Sequence, residues 1–217
     1  DAESGNITLY KSDDTQIQVF DVTSDISGSG GTAITINPTS DLAEQTSYYV
    51  HIDATAFDDA SSNTYAGITD ETSWNFTTAD ETAPTISSVT LASDNSTLAV
   101  TFSEAVYTTT DAATALVVGD FAFSISGGSA TLSSATPSSI SISGNVYTLG
   151  ISLSGTPDGS ETLTVNPLTA TAIYDAAGNA AAASQSNNTA TLNDQAAPSF
   201  ATDYPATANV AGTSFDL

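Results

Sequence analysis

The sequence predicts an all-β chain built from tandem sandwich modules, and three observations predict it. Apolar residues alternate with period two in nearly every stretch, the mark of strands with one buried face. Strong helix formers are sparse, while Ser, Thr, Gly and Asn dominate, so helices should be short or absent. One pattern also occurs twice: an extended segment, an acidic loop, a last strand, then an acidic Ala-Pro linker. The first copy reads Tyr48-Tyr49-Val50-His51-Ile52, Asp58-Asp59-Ala60-Ser61-Ser62-Asn63, Trp74-Asn75-Phe76-Thr77-Thr78 and Asp80-Glu81-Thr82-Ala83-Pro84. The second reads Leu163-Thr164-Val165, Asp175-Ala176-Ala177-Gly178-Asn179, Thr189-Ala190-Thr191-Leu192 and Asp194-Gln195-Ala196-Ala197-Pro198. Pro84 and Pro198 are 114 residues apart, a spacing that implies tandem modules and an extended structure.

The elements follow in order. Ile7-Leu9 and Ile17-Val19 bracket the turn-like Lys11-Ser12-Asp13-Asp14, a hairpin signature. Ile34-Ile36 follows a Gly28-Ser29-Gly30-Gly31 turn. Tyr48, Val50 and Ile52 share one face, leaving Tyr49, His51 and Asp53 on the other, and Trp74-Phe76 closes the first module. The second module opens with Ile86-Val89-Leu91, a turn at Asp94-Asn95, and Leu98-Val100-Phe102. Residues 107–118 form a long connection with an expected helical turn around Ala112-Ala115. Phe121-Phe123-Ile125, Ala130-Leu132, Ile140-Ile142, Tyr147-Leu149-Ile151-Leu153 and Leu163-Val165 continue the alternation, with turns at Gly127-Gly128, Gly144-Asn145 and Pro157-Asp158-Gly159.

Seven or so short strands over about 110 residues, with a turn every 8–12, is the pattern of an immunoglobulin-like sandwich. The expected layout is a module at 1–79, a linker at 80–84, a complete module at 85–193, and linker plus opening strand material of a following module at 194–217. Aligning Gly5-Asn6-Ile7 with Gly119-Asp120-Phe121 leaves the first module without its N-terminal strands. The tail after Pro198, with Phe200, Tyr204-Pro205, Val210 and Phe215-Leu217, resembles the opening of another module. The chain therefore reads as a piece of something longer, or as a subunit whose neighbours complete it.

Composition narrows the function. With no Cys, disulfides and thiolate metal sites are impossible. Twenty-five carboxylates face one cation, Lys11, for a formal charge of −24. Such a field repels phosphate backbones and anionic membranes, which excludes nucleic acid as a partner. No apolar run spans a bilayer, so direct membrane insertion is not expected. These acids must be compensated by water, salt or divalent cations. High salt, with a Debye length of roughly 3–5 Å, would mute their repulsion.

Phe102-Ser103-Glu104-Ala105-Val106, Tyr48-Tyr49-Val50, Asp175-Ala176-Ala177-Gly178-Asn179 and the Ala-Pro linkers resemble the bacterial Ig-like repeats of S-layer proteins and giant surface adhesins. The resemblance covers almost the whole chain. It implies an extracellular, non-enzymatic array in which acidic residues at module junctions bind calcium and stiffen the rod. The first acidic loop departs from the second, having no Gly and one more residue.

In such a sandwich, the loop before the last strand and the end of the second strand reach the pole where the module begins. Asp80, Glu81, Glu104, Asp175 and Asn179 should therefore converge, and their oxygens suit structural Ca²⁺, which takes 6–8 oxygen ligands at about 2.3–2.6 Å. Asp and Asn are also ordinary turn residues. A corresponding site at Asp58, Asp59 and Asn63 would need acids from a preceding module, and Asp194 would serve a following one.

Catalysis finds little support. His51 is the sole His, expected on a solvent-facing strand position, and thus the only base a Ser-His-Asp triad could use. Trp74 is expected in the core rather than as a sugar platform. No Gly-rich phosphate loop precedes a helix. The second module has no Lys, so Lys–Asn crosslinks are not a general stabiliser. Asn6, Asn75, Asn95 and Asn187 stand in N-x-Ser/Thr contexts that a Ser/Thr-rich chain produces by chance. The reading is a calcium-stiffened structural or adhesin segment whose partners are neighbouring modules or identical subunits, head to tail. The alternatives are a filament or S-layer subunit whose tail completes a neighbour's first module, and an adhesin module that binds surface glycans.

Overall fold

The computed structural model describes residues 1–198 as two compact units, Asp1–Thr82 and a second beginning at Ala83. The expected opening strand material at Phe200–Leu217 lies outside the described residues. The fold is all-β, with immunoglobulin-like antiparallel sheets and one 3-10 turn.

In the first unit, β1 (Asn6–Lys11) and β2 (Gln16–Asp21) form the expected hairpin, with a bulge between Leu9 and Tyr10. Its tight turn holds because the Asp13 carboxylate accepts the Thr15 N–H and Asp14 adopts φ 66°, an arrangement that short acidic residues tolerate. β3 (Ile26–Ser27) and β4 (Thr35–Ile36) make a short ribbon across the glycine turn. With β5 (Ser47–Ile52) and β6 (Asn75–Thr77), the main sheet runs β2-β1-β5-β6. Ile7, Leu9, Tyr48, Val50 and Ile52 point to one side of it and are buried with Phe20, Val22 and Ala56.

Two expectations for this unit fail. Trp74 and Phe76 are 41% and 37% exposed rather than core, because among the described residues no second main sheet covers that end. His51 is half-buried rather than solvent-facing. The rings of Tyr10 and Tyr49, directly opposed across the strands, stack at 5.1 Å, and His51 lies about 5 Å from both. The Tyr49 hydroxyl donates to Asp14, and burial together with that carboxylate pushes its pKa up to about 12.

The second unit holds β7 (Ile86–Leu91), β8 (Thr97–Phe102), β9 (Phe121–Ser126), β10 (Thr131–Leu132), β11 (Ile140–Ser143), β12 (Val146–Gly150), β13 (Leu153–Ser154), β14 (Thr162–Pro167) and β15 (Thr189–Thr191). Sheets β11-β12-β8-β7 and β15-β14-β9 are accompanied by a β10-β13 ribbon. Phe102, Phe121 and Tyr147 pack ring against ring at 5.6–6.3 Å among Leu98, Val100, Leu149, Leu163 and Val165. The buried Tyr147 hydroxyl finds the Val106 carbonyl, as a polar tip in a core must.

The helical turn falls at Val118–Asp120, not at Ala112-Ala115. Asp111 instead accepts from Thr109 and Ala113 while Ala112 sits at φ 56°, a backbone that no right-handed helix contains. Further on, the Asp120 carboxylate accepts the Val117 N–H at 2.7 Å and pins the 3-10 turn. The predicted run through Ile151 also breaks, since the Ile151 N–H bonds Ser96 and splits β12 from β13.

The two units repeat one sheet pattern. β1-β5-β6 repeats β9-β14-β15, and the pair Leu9↔Val50 matches Phe123↔Val165. Counterparts of β7 and β8 are absent from the described part of the first unit, as the alignment anticipated.

Candidate metal centre

The acidic loops are the same device built twice. Asp175 Oδ1 accepts the N–H groups of Ala177 and Asn179 at 2.9 and 2.7 Å, and Oδ2 accepts the Asn179 amide at 2.8 Å. Asp59 Oδ1 accepts Ser61 and Asn63 at 2.8 and 2.9 Å, and Oδ2 accepts the Asn63 amide at 2.9 Å. The Asp59 N–H bonds the Asn63 carbonyl as the Asp175 N–H bonds that of Asn179. The first loop is therefore not one residue longer: Asp59, not Asp58, matches Asp175. Ser62 at φ 59° takes the left-handed place of Gly178 at φ 94°, so the missing glycine is replaced in conformation if not in chemistry. The Asn63 contacts hold the Asp59 carboxyl below its ordinary range.

Burial separates the two loops. Asp175 is fully buried, whereas Asp59 and Asn63 are exposed and Asp58 is half-buried. In the second unit, Tyr107 and Tyr174 exchange backbone hydrogen bonds at 2.7 and 2.8 Å. That bridge pins the segment just after β8 to the residue just before Asp175. It brings the Glu104 and Asp175 carboxylates within 4.8 Å of one another. Two like charges at that distance repel by about 3 kcal/mol even at an effective dielectric of about 20. Two oxygens bound to one Ca²⁺ at about 2.4 Å can lie up to about 4.8 Å apart, so the pair fits a shared ion. The first unit has no described counterpart of Glu104 beside Asp59.

The remaining candidates lie along the linkers. Asp80 accepts the Gln45 amide at 2.7 Å and the Thr82 N–H at 3.0 Å. Glu81 is exposed in the linker, and Asp194 caps the Ala196 N–H beyond β15.

Sequence reasoning missed Glu161. Its side chain is wholly buried and accepts the N–H groups of Ser129, Ala130, Asp158 and Gly159. Those bonds, that of Ala130 foremost, lower its pKa. A carboxylate so fully engaged joins two turns and has little left for a metal. Only its isolation between Gly-rich turns could have drawn notice.

Taken alone, each unit shows antiparallel strand pairing consistent with an immunoglobulin-like sandwich. Residues 2–78 match the family model described as "Bacterial Ig-like domain", which supports a bacterial Ig-like repeat module in the first unit. This domain class marks modules of the surface or adhesin type, generally non-enzymatic and commonly surface-exposed. No curated protein matches the chain. Among the described residues, no helix is long and apolar enough to cross a membrane.

Proposed function

We propose that the chain is a non-enzymatic, extracellular structural segment whose modules are stiffened by Ca²⁺. The observation that carries this reading is the approach of Glu104 to the buried Asp175 within 4.8 Å, in a chain with one Lys and no Arg to compensate them. Glu104 and Asp175 supply the first oxygens. The linker carboxylates Asp80 and Glu81, immediately ahead of the second unit, supply more, with carbonyls and water filling the shell. Asn179 holds Asp175 in place through its amide. An ion bound partly by linker and partly by loop would fix the junction while leaving each core independent of it.

Calorimetric titration of the whole chain with CaCl₂ tests the site. Glu104→Gln and Asp175→Asn should each weaken binding by about tenfold or more, with the folding transition retained. Wild-type affinity in both variants would refute the assignment. Small-angle scattering with Ca²⁺, then with excess chelator, tests the stiffening: an elongated particle should become more flexible. Identical curves would leave the acids as a solubilising surface.

A further inference from the structure

The face of the first unit's main sheet that turns away from the core carries a cluster of rings. Tyr10, Tyr49 and His51 project from it, with Thr8 opposite His51. Val19, paired with Thr8, and Ile17, two residues along the same strand, extend it with side chains 40% and 38% exposed. The second unit shows that the fold does not require these rings. Since Leu9↔Val50 matches Phe123↔Val165, the places of Tyr10, Tyr49 and His51 are taken there by Ser124, Thr164 and Asn166. Small polar side chains suffice on that face, so the rings of the first unit answer a need other than folding. His51 adds an independent sign. Its Nε2 is shielded from solvent and has no hydrogen-bond partner among the described residues, whereas its counterpart Asn166 accepts from Gln185 and Asn188. A shielded polar atom left in that state calls for an explanation.

Acids bound the cluster at both ends. At one end stand Asp14, which accepts the Tyr49 hydroxyl, and Glu71, whose charge also acts on Tyr49. Asp21 and Asp53 stand at the other, where Asn6 pairs with Asp21 and donates its N–H to Asp53. All four are exposed. Lys11 pairs with the buried Tyr48 and follows Tyr10, so alternation turns it to the opposite face. From Asn6 to Lys11 the strand covers about 17 Å, at about 3.3 Å per residue. Five or six residues of extended chain would span that length.

We propose that this face docks an extended basic segment of a different protein. Apolar side chains of the segment lie on Tyr10, Ile17 and Val19, its Arg or Lys side chains meet the acids at either end, and a polar group reaches His51 Nε2. Charge identifies the occupant. A second copy of this chain brings one Lys, no Arg and the same formal charge of −24, so it cannot supply the segment, and anionic surfaces are repelled. Tyr concentrates binding energy at protein interfaces and also attracts cationic side chains to its ring. This adds a recognition role to the structural one and does not depend on the calcium site.

The probe is an acetylated, amidated hexapeptide, Arg-Ser-Leu-Ser-Leu-Arg, added to the whole chain with excess chelator. Salt is held at about 0.15 M, where the Debye length of about 8 Å mutes general attraction. His51 is the only His, so its imidazole proton signals report this face alone, and they should shift saturably with peptide. Tyr10→Ser combined with Ile17→Ser removes apolar surface without altering charge, and should weaken binding about tenfold or more. Replacing both leucines of the peptide by serine should weaken it as much. That second comparison uses the unaltered chain, so it stands even where a variant folds poorly. Unmoved His51 signals overturn the proposal. So does equal binding of the two peptides, which would leave only the general pull of cations toward an acidic surface. A saturable shift with a neutral oligosaccharide and none with the peptide would make this a sugar site, and also overturns it.

Discussion

The two units repeat a sheet pattern and a loop yet differ in closure. In the second unit, fifteen residues form a buried cluster between two sheets; in the first, eight do so against a single main sheet. Six of the nine large apolar side chains exposed among the described residues lie in the first unit: Ile17, Val19, Ile34, Tyr65, Trp74 and Phe76. The acidic loop, by contrast, folds identically in both. Its hydrogen bonds are local, made within five residues, so they form whether the carboxylate ends buried, as Asp175, or exposed, as Asp59. Loop geometry in this chain is therefore set by nearest-neighbour chemistry, whereas burial is set by whether the β7–β8 layer is present.

Three perturbations test that division, the strongest first. Phe102→Ala removes a ring from the layer that the first unit lacks, and should cost the second unit about 3–5 kcal/mol. Chemical denaturation should show the second unit's transition moving while the first unit's stays; joint movement would mean the units are not independent. Next, Glu161→Ala removes the acceptor of four N–H groups, one buried (Ala130) and three part-buried, and should lower the second unit's melting temperature by about 5–10 °C. The same residue sets a pH signature. Its folded pKa is depressed, so the stabilisation is complete above the unfolded value of about 4.5 and fades as pH falls through the lower folded value. Glu161→Gln should flatten that acid branch between pH 6 and 2, and an unaltered branch would assign it to other acids. The smallest effect comes from exchanging the left-handed residues of the two loops. Gly178→Ser should destabilise by about 1 kcal/mol and Ser62→Gly should gain about 0.5 kcal/mol or less. Equal and opposite changes would show that the loops carry the same backbone strain despite their different burial.

Much of this arrangement is legible in sequence because β-strands announce themselves by alternation. The hairpin at Ile7–Val19, the run from Leu98 to Phe102 and the Asp175-to-Asn179 loop can be read directly, whereas the start of the first loop at Asp59 rather than Asp58 shows only in its hydrogen bonds. What alternation does not report is whether a facing layer exists. Trp74 and Phe76 follow the pattern of core residues and are left exposed, because period two fixes which side a residue faces and not what meets it there. Glu161 is silent for a different reason. Its role arises where residues 128–130 meet residues 157–159, and neither turn names the other. The pairing of Glu104 with Asp175 lies between these extremes. Fold topology puts both at one pole, but the 4.8 Å approach depends on the Tyr107–Tyr174 bridge, which no local pattern marks.

The lone lysine has a consequence of its own. A trypsin-like protease cuts after Lys or Arg, and this sequence offers it one bond, Lys11–Ser12. Lys11 ends β1, which is flanked by β2 and β5, and the Ser12 N–H is bonded to the Ser47 carbonyl at 2.9 Å. Digestion there requires the central strand of the first sheet to open, so the cleavage rate is governed by the rarity of that opening. A surface so depleted of basic residues combines solubility with durability: the one place where such an enzyme could bite is sewn into the fabric.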